Sequence, residues 1–137
     1  MAPSSSKALH VSLWVIQILL ALLFGAAGAA KLLMPLEELA AQGMSHAVNL
    51  PWPTERFIGV SELLGAVGLV LPAATGIQPR LTGFAAIGLV VVMVLGTGYH
   101  LIYDEVAAAP VPLVLGALAA FVAWGRLVGH PIPPRGS

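Results

Sequence analysis

Four apolar runs fill this chain almost end to end, each close to the roughly 20 residues that a helix needs to cross a bilayer. They fall at about 9–33, 55–71, 80–103 and 109–128. Hydrocarbon offers no partner to a backbone N–H or C=O, so runs of this kind must be helices that close their own hydrogen bonds. Charge agrees. Only 9% of the 137 residues are charged, against roughly 25% in a soluble domain, and mean hydropathy is +0.94. So few charges cannot cover a water-facing surface. The expected fold is therefore an all-α integral membrane four-helix bundle. It forms one domain over 9–128, between a polar tail at 1–8 and a proline-bearing tail at 129–137.

Breakers mark the ends of the runs. Pro35 ends the first, Pro72 ends the second, and Gly76 and Pro79 lie in a tight turn before the third. Pro110 and Pro112 are tolerated in the first turn of the fourth, where no N–H partner is lost. The stretch 34–54 is the longest connection. In it, Pro35 to Ala41 predicts a short interfacial helix stopped by Gly43, Trp52 suits the membrane boundary, and Thr54 is placed to cap the second span with Glu55 in its first turn. Lys7, the first apolar run and Ala27-Gly28-Ala29 also have the layout of a signal peptide, but the run exceeds the 7–15 residues of a typical h-region.

The few charges are sorted by side. Lys7, Arg80, Arg126 and Arg135 fall at the end that carries both termini, with no acid among them. Glu37, Glu38, Glu55, Asp104 and Glu105 fall at the other end, with Lys31 and Arg56 as the only bases. Basic short loops stay inside, so both termini are expected to be cytoplasmic, as in a bacterial cytoplasmic membrane. Trp14 and Trp124 then lie at the inner boundary, and Trp52, Tyr99 and Tyr103 at the outer one. The absence of cysteine excludes disulfides, thiolate metal sites and thiol relays. Zero formal net charge and the lack of a basic cluster exclude a nucleic-acid partner.

One carboxylate lies inside the second run. Glu62 at the centre of an apolar helix costs about 2.5–3.5 kcal/mol on insertion scales, so it requires a partner, a proton or water. Up-and-down topology brings Lys31, near the outer end of the first span, and His100, in the outer third of the third, to a similar depth. Helical phase places Glu62 with Ile58, Gly65, Ala66 and Leu69, Lys31 with Phe24, Ala27 and Gly28, and His100 with Met93, Gly96 and Thr97. The expected catalytic pair is Glu62 and His100. The expected ligand-binding set is Lys31, Glu62, Thr97, Tyr99, His100 and Tyr103.

Each of these residues has a plainer reading. Lys31 can snorkel or cap its helix. Glu62 can be a buried helix clamp, and His100 an interfacial hydrogen-bonding residue. His46 and His130 read as loop histidines. No metal site is expected, because His46, His100 and Glu62 share no close ligand motif. Gly25 with Gly28, and Gly65 with Gly68, read as close-packing positions inside membrane helices rather than nucleotide loops.

The pattern resembles the DoxX-like family of small four-span membrane proteins over roughly 9–128. The matching features are the first span ending in Gly28-Ala29-Ala30-Lys31-Leu32, the second-span stretch from Gly59 through Ser61-Glu62-Leu63 to Pro72, Arg80 to Gly83 opening the third span, and His100 near its end. The resemblance implies a compact four-helix bundle and carries over Lys31, Glu62, Arg80 and His100 as its polar residues. Relatives are described as a subunit of a thiosulfate:quinone oxidoreductase, as accessory proteins in oxidative-stress complexes and as a receptor-assembly chaperone.

Three functions compete. The first is binding of a quinone or other lipophilic molecule in the outer half of the bundle, within an oxidoreductase system; the quinone would be the cofactor. The second is an isomerase or hydrolase using Glu62 as acid or base on a lipophilic substrate. The third is a non-enzymatic assembly factor or chaperone with a membrane-protein partner, or a homo-oligomer. A channel or pump ranks lower, because the inner half is nearly all apolar: Gln17 is alone between Ile16 and Phe24, and Thr82 alone between Leu81 and Leu95.

Overall fold

The computed structural model describes residues 2–137, and side chains from 6 onward. Its elements are α1 (Ala2–Leu33), α2 (Leu36–Ala41), α3 (His46–Asn49), α4 (Trp52–Thr75), α5 (Arg80–Ile102), a 3-10 turn (Val106–Ala108), α6 (Pro110–Trp124) and a π-helical turn (Gly125–Gly129). Among the described residues, four helices are long and apolar enough to cross a membrane: Ser6–Leu33, Trp52–Thr75, Arg80–Ile102 and Val106–Gly129. Between them they form an integral membrane four-helix bundle.

Two helices overrun their expected ends, α1 at its start and α4 at both. Helix α1 begins at Ala2, so Ser6 and Lys7, read as tail, are helical; Met1 lies outside the described residues. Helix α4 starts at Trp52, with Pro51 as its N-cap, so Thr54 sits inside the first turn instead of capping it. Pro53 is harmless there, since the first N–H groups of a helix have no intrahelical acceptor. Helix α4 also runs through Pro72 to Thr75. Losing one N–H close to the end of a helix costs little, and the stop comes from Gly76, whose φ of +71° is a left-handed cap that favours glycine.

Packing divides the bundle into two helix pairs. In the first, α1 and α4 touch backbone to backbone: a Cβ on Gly28 would stand 2.8 Å from the Gly59 carbonyl oxygen and 3.3 Å from the Glu62 Cβ. In the second, α5 and α6 meet where Met93 closes on Gly116 and Pro112 on Gly96. The pairs join tightly at the end carrying the termini. Gly65 faces Leu89 and Gly68 faces Ala85 across α4 and α5, while Leu13 of α1 fills the space left by Gly125 after α6. The core there is Leu20, Phe24, Leu69, Ala86, Leu89, Ala119 and Val122. Small residues act here as the apolar pattern requires, since lipid supplies no hydrophobic drive and close van der Waals approach holds the helices. The outward faces, such as Leu22, Leu64, Val94 and Leu113, are exposed and apolar, as a lipid-facing surface must be.

Candidate functional site

Close approach at Gly28 and Gly59 sets the central polar contact. Lys31 lies one turn beyond Gly28, and Glu62 one turn beyond Gly59, so both side chains leave the same seam. Lys31 Nζ donates to Glu62 Oε2 at 3.0 Å, with the residues 7% and 3% exposed. The seam is held in register by Arg56, whose Nη1 donates to the carbonyl oxygens of Lys31 and, at 2.9 Å, Met34. These are carbonyls at the end of α1 that have no partner within the helix. Arg56 thereby anchors the turn that carries Lys31.

Away from the termini the two helix pairs separate around a cavity of about 420 Å³. Leu23, Phe24, Ala27 and Lys31 line it from α1, and Ile58, Ser61 and Glu62 from α4. Met93, Gly96, Tyr99 and His100 face it from α5, and Pro112 and Leu115 from α6. Met44, His46 and Leu50 of the long connection also contribute. The lining is overwhelmingly apolar, with its polar groups gathered towards the end away from the termini.

The connection is latched over that end. Ser45 Oγ donates to Glu105 Oε1 and accepts at 3.0 Å from the Tyr99 hydroxyl, which itself accepts from Asn49 Nδ2 at 2.9 Å. His100 Nδ1 stands 2.7 Å from Glu105 Oε2, and His46 Nδ1 stands 2.6 Å from Glu55 Oε2. The Ser45 hydroxyl, and then His100, stabilise the charged Glu105 carboxylate and hold its pKa below the ordinary glutamate value.

Lys31, Glu62, Tyr99 and His100 thus all face one cavity, but not as one chain of contacts. Lys31 and Glu62 bond to each other, whereas His100 bonds to Glu105. Thr97 and Tyr103 lie off the wall. The Thr97 hydroxyl bonds back to Met93 O of its own helix at 2.8 Å, and Tyr103 stacks on Tyr99 with ring centroids 4.4 Å apart. Arg80 is exposed at the far end. Two residues escaped the sequence reading: His46, read as a loop histidine, lines the cavity, and Glu55 is 1% exposed as its partner. Their spacing of nine residues across a proline-bearing turn carries no helical signal.

A bundle of four apolar helices with an ion pair buried in the seam between two of them is a small multi-pass integral membrane protein. The chain belongs to the DoxX-like family, whose model matches residues 15–122. No curated protein and no solved structure matches it.

Proposed function

We propose that the protein binds a lipophilic small molecule, with a quinone as the chemically best-suited class, in the cavity between its two helix pairs. The carrying observation is the cavity itself. About 420 Å³ falls within the roughly 300–1,000 Å³ of small-molecule sites, and an apolar wall with a few convergent polar groups is their usual makeup. A quinone fits the donor set: its ring and isoprenoid chain suit Phe24, Ile58, Met93 and Leu115, and its carbonyls suit donors such as Lys31 and His100. Such a group, when bound, supplies electron and proton acceptance. The chain's own residues bind and orient it: Lys31 and Glu62 present paired charge at the wall, and the Ser45–Tyr99–Glu105 latch limits water from above. Exposed Leu23 and Val111 on the rim lie on lipid-facing surface, which suits a ligand dissolved in the bilayer.

The charge sorting supports a placement with both termini in the cytoplasm and the cavity in the outer half of a bacterial cytoplasmic membrane. A second reading, an acid–base enzyme acting on a lipophilic substrate, is favoured by Glu62 reaching the same cavity.

Native mass spectrometry of the protein in mild detergent, with identification of extracted lipids, tests the binding reading. A stoichiometric quinone or other lipophile, lost in Ala27→Phe, is the expected result. A bare chain that also shows no saturable binding of added ubiquinone or menaquinone overturns it.

A further inference from the structure

Opposite the cavity, where the termini lie, a buried cation has no counter-charge among the described residues. Arg126 is 2% exposed. Its Nε donates to Gln17 Oε1 at 2.6 Å, and Gln17 Nε2 in turn donates to Leu69 O at 2.6 Å. Nη1 stands 3.2 Å from His10 Nδ1 and donates to His130 O at 3.3 Å. The guanidinium lies over the Trp14 ring, 5.5 Å from its centroid, and Nη2 has no partner among the described residues. Every one of these neighbours is neutral or basic. Among the described residues, none of the three ion pairs includes Arg126. The side-chain carboxylates all belong to the opposite half of the sequence pattern, at Glu37, Glu38, Glu55, Glu62, Asp104 and Glu105.

Further donors gather beside it. The His10 and His130 rings lie 4.8 Å apart, and Ser6 Oγ is 3.0 Å from His130 Nδ1. A guanidinium, two imidazoles and a hydroxyl therefore meet with no acid among them. Removing a guanidinium from water without a counter-charge is unfavourable, and a planar fork with a free nitrogen is matched by an oxyanion. Trp14 and half-exposed Trp124 flank the cluster, residues that favour the headgroup level of a bilayer.

We propose that Arg126, His10 and His130 form an oxyanion site for phosphate chemistry, filled by the phosphodiester of an anionic membrane phospholipid. Arg126 is covered by the chain that follows it. After the π-helical turn the chain is non-helical, and the bond to His130 O is the longest that Arg126 makes. An oxyanion that takes the place of this carbonyl would meet Nη1 and Nη2 together, the bidentate arrangement that guanidinium favours. The site is separate from the cavity and does not rest on what the cavity holds.

The test is native mass spectrometry of the full chain titrated with dioleoylphosphatidylglycerol, with dioleoylglycerol as the phosphate-free control, and with inorganic phosphate. One equivalent of phosphatidylglycerol should be retained at least tenfold more tightly than dioleoylglycerol. This preference should fall about tenfold in Arg126→Gln and severalfold in a His10→Ala, His130→Ala double variant, while Arg80→Gln leaves it unchanged. Retention of inorganic phosphate with the same variant dependence, and no lipid preference, supports the oxyanion site and assigns it to free phosphate. Equal retention by all variants, or equal loss in Arg80→Gln, overturns it. If circular dichroism shows that Arg126→Gln does not fold, the histidine variant decides.

Discussion

Gly28 and Gly59 meet so closely that a Cβ on the first would stand 2.8 Å from the carbonyl oxygen of the second. That contact positions the charged pair one turn further on. The two nearest atoms, the Gly59 carbonyl oxygen and the Leu63 amide nitrogen at 2.9 Å, both belong to backbone, so an added side chain cannot be relieved by a rotamer change. Gly28→Val should cost about 1–3 kcal/mol by overpacking and displace Lys31 from Glu62. Thermal unfolding in detergent checks it. Gly88→Ala, where nothing lies within 4 Å, should be nearly neutral.

Lys31 and Glu62 should behave as a unit. Removing one partner leaves a charge stranded, which typically costs about 3–5 kcal/mol, whereas removing both is far milder. Lys31→Met alone should therefore lower the midpoint strongly, and Lys31→Met with Glu62→Gln should recover most of it. A double-mutant cycle on unfolding midpoints reads the coupling. Additive losses would mean that the 3.0 Å contact contributes little.

The latch should loosen in acid. Glu105 has a folded-state pKa below its unfolded value, so its contribution is complete above the unfolded value of about 4.3 and disappears as pH falls through the lower folded value. Hydrogen exchange in the segment 35–51, corrected for the intrinsic pH dependence, should stay slow down to about pH 4.3 and rise below it. Glu105→Gln should remove this acid limb and exchange faster at neutral pH.

Filling the cavity should separate binding from folding. Ala27 is half-buried on the cavity wall, and Phe in its place projects into open space instead of into a neighbour. Ala27→Phe should lose lipophile binding by an order of magnitude while the unfolding free energy stays within about 1 kcal/mol of the parent, the range of a tolerated substitution. Titration with a quinone alongside thermal unfolding gives both numbers.

The membrane class and the common height of Lys31 and Glu62 along the bundle were legible because helical rise and up-and-down topology convert sequence position into height. Helical phase placed Gly65, Ala66 and Leu69 on the buried side with Glu62, where the structure has them. Azimuth and local turns were harder. The pairing of His100 with Glu105 instead of a member of the Lys31 pair depends on the turn after α5, where Asp104 takes φ +58°. Gln17 and Arg126 are 109 positions apart and meet only because α1 and α6 are neighbours in the closed bundle. Read singly, Gln17 was a stray polar residue and Arg126 a mark of orientation. Pro72 suggested a stop that Gly76 actually provides, because a ring near a helix end removes one bond without forcing a break.

The two helix pairs are clamped at the ridge formed by Gly65, Leu89, Gly68 and Ala85, and stand apart beyond it. Such an arrangement has the mechanics of a clothes-peg. A small rocking of one rigid pair about that fulcrum changes the width of the gap by more than the movement at the hinge. Any such rocking would leave the Lys31–Glu62 contact intact within one jaw, but it would have to stretch the Ser45–Glu105 and Asn49–Tyr99 bonds that tie the jaws together at the open end. The latch bonds therefore set the width of the gap, while the charged contact keeps its geometry independently of them.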